Sequence, residues 1–66
     1  MDSIVIEFSP CDKGKVLNAI RGMGNVTGNY GDSELLLATN KPLLSIGRKL
    51  HSANLENGFY IRMRVD

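Results

Sequence analysis

"ELLLAT", residues 34–39, is the stretch on which the fold turns. It is a β-rich run whose "LLLA" is apolar on both faces, so it reads as a central strand rather than an edge. The segment before it, "YGDSE", has turn chemistry. Ahead of that turn, "NVTGNY" at residues 25–30 reads as a weaker strand, with Val26 and Tyr30 on one face and Gly28 between them. The two segments form a hairpin.

The pattern upstream is a strand followed by a helix. In "SIVIEF", residues 3–8, Ile4, Ile6 and Phe8 share one face, and Ser3, Val5 and Glu7 share the other. In "KVLNAIRGMG", residues 15–24, Val16, Ile20 and Met23 fall on one helical stripe, flanked by Leu17 and Ala19. Gly22 and Gly24 stop that helix.

Downstream the pattern repeats. "TNKPLLSIGRKLHSAN", residues 39–54, reads as a helix capped by Thr39 or Asn40, with Pro42 in its first turn. Its stripe is Leu43, Ile46, Gly47, Leu50 and Ala53, and a glycine in that stripe predicts close backbone approach. After an Asn57-Gly58 turn, "FYIRMRV" alternates cleanly. Phe59, Ile61, Met63 and Val65 are expected inward, and Tyr60, Arg62 and Arg64 outward.

Strand, helix, strand, strand, helix, strand is an α+β order. By topology, across the whole chain, it resembles the ferredoxin-like split βαβ arrangement, βαββαβ. That resemblance implies one domain over residues 1–66, built on a four-stranded antiparallel sheet in the order 4-1-3-2. Two helices would cover one face and leave the other open.

The totals limit what such a chain can do. A 66-residue chain buries only about 60% of its unfolded surface, too little for a deep enclosed active site. A hydrophobic content of 42% marks a folded domain, and a net charge of +1 favours neither a nucleic-acid binder nor an acidic mimic. A single cysteine excludes an intrachain disulfide. Apolar runs fall far short of the ~18 residues of a membrane span. "MDSIVIEF" lacks the basic region of a signal peptide. The expected compartment is the cytoplasm of a cell or of an infected host, and no membrane partner is expected.

"SPCDKGK", residues 9–15, gathers the chemistry-bearing residues. Gly14-Lys15 is followed by Val16, with no glycine five residues earlier, so a phosphate loop is absent. "GMGNVTG" follows a helix and is one residue too long for a dinucleotide fingerprint. Cys11 stands where small metal carriers of this topology place CxxC, but position 14 is glycine and His51 belongs to the other helix. If Ser9 caps the helix, Cys11 is an exposed first-turn thiol. If Asp12 caps it, Cys11 packs as a buried staple, which is the favoured reading. Acidic residues are scattered without a pair placed for acid–base work. No cofactor and no catalytic activity are expected.

Binding is better supported. Residues 13–23 and 41–53 hold Lys13, Lys15, Arg21, Lys41, Arg48 and Lys49 but no acid, so the helical layer should be basic. Lys13 and Lys15, at a helix start, suit an anion. The open face would carry Val5, Glu7, Leu36, Ala38, Tyr60, Arg62 and Arg64. Its central strands lack the aromatics that stack RNA bases. The expected function is therefore protein binding, by a small regulator or inhibitor that docks on a larger complex. Phage-encoded blockers of host systems are an analogy. The expected contact residues are Leu36, Tyr60, Arg62 and Arg64, and a second copy of the chain on the open sheet face is a further partner. The alternative is RNA or DNA binding through Lys13, Lys15, Arg48 and Lys49. Thiol chemistry at Cys11 is a third reading.

Overall fold

In the computed structural model, which describes residues 2–29 and 31–64, the alternation of "SIVIEF" becomes strand β1 (Asp2–Phe8). A 3₁₀ turn (Pro10–Asp12) leads into helix α1 (Lys13–Ile20). Strands β2 (Asn25–Asn29) and β3 (Glu34–Thr39) form the hairpin. Helix α2 (Leu43–Ser52) returns the chain to strand β4 (Phe59–Met63). The sheet is antiparallel throughout, in the order β2-β3-β1-β4. Tyr30, expected to share a face with Val26, and Val65, expected inward, lie outside the described residues. None of the helices is long and apolar enough to cross a membrane among the described residues.

One face of the sheet makes the core. Ile4, Ile6 and Phe8 of β1 and Leu35 and Leu37 of β3 pack against Val16, Ala19 and Ile20 of α1 and Ile46 and Leu50 of α2. Phe59 and Ile61 of β4 close it from the side. At about 25 cal/mol per Å² of apolar surface, this layer supplies most of the driving force. Met63, opposite Ile4 and expected inward, is 41% exposed, because it sits at the end of an edge strand.

Three local expectations need correction. The β2–β3 register slips between Val26 and Gly28, so Val26 opposes core-facing Leu37 and Gly28 opposes Leu36. The extra residue, Thr27, breaks the period of two, and Val26 and Gly28 therefore point to opposite faces. Pro42 is the N-cap of α2 rather than a first-turn residue, and no side chain caps that helix. Thr39 instead ties two loops together. Its buried hydroxyl donates to Met23 O and accepts from the Lys41 amide at 3.0 Å. Beside it, a Cβ on Gly24 would lie 2.3 Å from Ala38 O, so this glycine permits a close backbone approach.

Candidate functional site

The sheet face away from the helices is set by register. Val5 opposes Leu36 on one side and Arg62 on the other, and Glu7 opposes Glu34 and Tyr60. Tyr60 is 78% exposed and Arg62 is exposed beside it. Arg64 is also exposed, and its backbone amide donates to Ser3 O at 2.9 Å. Leu36 differs from these three. It is central in the sheet and only 5% exposed, as is Val5, so it offers a partner almost no surface. The exposed members of the expected quartet are therefore Tyr60 and Arg62 on the edge strand β4 and Arg64 just beyond its end. Glu7 faces tyrosine on one side and a second carboxylate on the other.

The basic residues of the helical layer do not converge on one spot. Lys13 Nζ lies 3.2 Å from Asp32 Oδ1, on the β2–β3 turn. Lys15 points the other way, 3.4 Å from Asn54 O and 3.9 Å from Glu56 Oε1. An anion arriving at this helix start would have to displace these contacts. Exposed ion pairs of this kind are weak, but they leave no preformed cradle. Lys15 and Lys49 flank a groove of about 250 Å³ between the helices, lined also by Asn18, Ala19, Ser52 and Ala53. Arg48 is exposed on α2, one residue before Lys49 and outside that groove.

"SPCDKGK" resolves in a way neither capping reading anticipates. Ser9 is the N-cap of the 3₁₀ turn and Asp12 the N-cap of α1, yet neither side chain caps its own helix. The Asp12 carboxylate is fully buried and is used 44 residues away. It accepts from the Glu56 amide at 3.2 Å through Oδ1 and from the Asn57 amide at 3.1 Å through Oδ2. Asp12 thus anchors the loop between α2 and β4, and with its side chain drawn inward the preceding Cys11 is exposed. This overturns the buried-staple reading of Cys11. No local sequence signal marks the role of Asp12, since its partners are backbone amides distant in the chain. His51 lies in the last turn of α2, beside Asn54, Leu55 and Phe59. Among the described residues, no three His, Cys, Asp or Glu side chains come together as a metal site.

Compared with protein-family models, with curated proteins and with solved structures, the chain matches none of them.

Proposed function

We propose that this chain is a small non-enzymatic protein-binding module of ferredoxin-like split βαβ architecture, acting as a regulator or inhibitor on a larger protein complex in the cytoplasm of a cell or an infected host. Read from the β4 edge, the strand order is 4-1-3-2, which supports the architecture. The observation that carries the function is Tyr60, a large aromatic side chain held 78% exposed next to Arg62 on a sheet face that no helix covers. Aromatic and arginine side chains dominate the energetics of protein interfaces, and a rigid sheet presents them at little entropic cost.

Nucleic-acid binding is the weaker reading. Lys13 and Lys15 diverge and meet Asp32 and Glu56, and the central strands offer no stacking residue. The two readings separate in one experiment. The chain is used to capture partners from its source organism or that organism's host. Binding of the purified partner, and of labelled single- and double-stranded nucleic acid, is then titrated against salt. A protein partner should be retained with a shallow salt slope, lost on Tyr60→Ala/Arg62→Ala and kept on Lys13→Ala/Lys15→Ala. Tight nucleic-acid binding with a steep log–log salt slope that needs both lysines would refute the protein-binding reading.

A further inference from the structure

The two edges of the sheet are not alike. β2 carries the Thr27 bulge and Gly28, both of which spoil an edge as a template for another strand. β4 carries neither. "FYIRM" pairs with β1 in unbroken register and contains no proline, glycine or acid. The Arg64 amide donates to Ser3 O, and antiparallel pairing alternates from that bond. Arg62 and Tyr60 therefore turn their backbone N–H and C=O groups to β1. Phe59, Ile61 and Met63 turn theirs outward, at the sheet edge.

We propose that β4 is a self-association edge, on which a second copy of this chain pairs antiparallel about a two-fold axis at Ile61. This goes beyond the protein-binding reading above and stands without it. The axis sets Ile61 opposite Ile61, Phe59 opposite Met63 and Tyr60 opposite Arg62 of the second copy. Each residue with an outward amide then meets another such residue, so the backbone bonds close. Tyr60 and Arg62 fall in the pairs without backbone bonds, where side chains approach most closely, and a guanidinium suits a phenol ring. Phe59 meets a thioether, a favourable sulfur–aromatic pair. Slipping the register by two residues toward Met63 would set Arg62 against Arg62, a like-charge pair. The sequence of β4 is thus self-complementary in the register centred on Ile61.

A second observation points to the same edge. Of the large apolar side chains left exposed, Tyr60 (78%) and Met63 (41%) lie on β4 itself and Leu44 (66%) lies on α2. Leu44 is placed on the β4 side by helical spacing. A Cβ on Gly47 would lie 3.2 Å from Ile61 Cδ1, so Gly47 faces β4, and Leu44 three residues earlier shares its flank. Lys49 and Ala53 take the opposite flank, toward α1. Joining two β4 edges would bring the two Leu44 flanks together above the Ile61 pair and merge the two open faces into one eight-stranded surface. A ladder this short buries less than a standard interface, so the association is concentration-dependent.

Sedimentation equilibrium across a concentration series, up to about 1 mM, tests the proposal. The average mass should rise from 7.3 kDa toward twice that value. Tyr60→Lys sets a lysine against the second copy's Arg62, and the two-fold axis counts the repulsion twice. It should weaken association by roughly tenfold or more, with circular dichroism confirming that the variant is folded. Tyr60→Lys/Arg62→Glu makes the opposed pair attractive and should restore the dimer. A mass of 7.3 kDa at every concentration would overturn the proposal, as would a dimer indifferent to Tyr60→Lys or a double variant that stays monomeric. A monomer whose β4 edge instead takes up another protein's strand would overturn it too.

Discussion

Asp12 shows how far one side chain can act from where the sequence suggests. An aspartate just ahead of a helical stripe reads as that helix's cap, because local spacing is all the sequence displays. The folded chain turns the carboxylate inward, where it holds the Glu56 and Asn57 amides and lets the last loop deliver β4 to the sheet. Hydrogen bonds to a buried carboxylate are stronger than neutral ones, and removing the acceptor leaves two amides without a partner. Asp12→Ala should therefore destabilise the fold by about 3 kcal/mol, read as a fall in the urea midpoint at unchanged slope. Asp12→Asn keeps a single carbonyl acceptor and should lose about half as much. If Asp12→Ala unfolds at the wild-type midpoint, the anchor role is wrong. Cys11 illustrates the converse. Its exposure depends on which way its neighbour turns, and no spacing rule encodes that.

Among the elements, the alternation of "SIVIEF" and "FYIRM" and the doubly apolar "ELLLAT" were legible, since a period of two converts directly into faces. The β2 bulge was not. One extra residue in a weak polar strand leaves no mark on the pattern, yet it reverses which face every later residue of that strand presents. The pairing of Glu7 with Glu34 was hidden for the same reason, because register is a property of two strands together. Like charges directly opposite each other are unfavourable, so Glu34→Lys should strengthen the β1–β3 pairing and stabilise the fold by about 0.5 kcal/mol in thermal unfolding, and a loss of stability would rule that out. Gly47, expected to permit close approach, meets only the Ile61 methyl tip. That tip lies in a half-buried side chain at the sheet edge, free to shift by a few tenths of an ångström. Removing a mid-helix glycine gains helix propensity, so Gly47→Ala should raise stability by up to about 1 kcal/mol. A drop in the midpoint would mean that Ile61 cannot move.

At the scale of the whole molecule, the chain order makes the fold depend on its last element. β1 precedes the other three strands in sequence but sits in the interior of the sheet, with β3 on one side and β4 on the other. Until β4 arrives, the Ser3, Val5 and Glu7 backbone groups face water, and Phe59 and Ile61 are missing from the rim of the core. A small domain has little stability to spare for such a loss. A chain ending at residue 57 retains the Asp12 anchor partners, both helices and the β2–β3 hairpin, and lacks only β4. It should nevertheless fail to hold a cooperative fold, giving poorly dispersed amide NMR signals and no sigmoidal urea transition, whereas the full chain should unfold in one step. Adding the "FYIRMRVD" peptide in trans should restore dispersion, since the vacated edge of β1 offers the same ladder that β4 fills. A truncated chain that unfolds cooperatively near the wild-type midpoint would show that the helices and the hairpin suffice, and that β4 is an accessory edge rather than the closing strand.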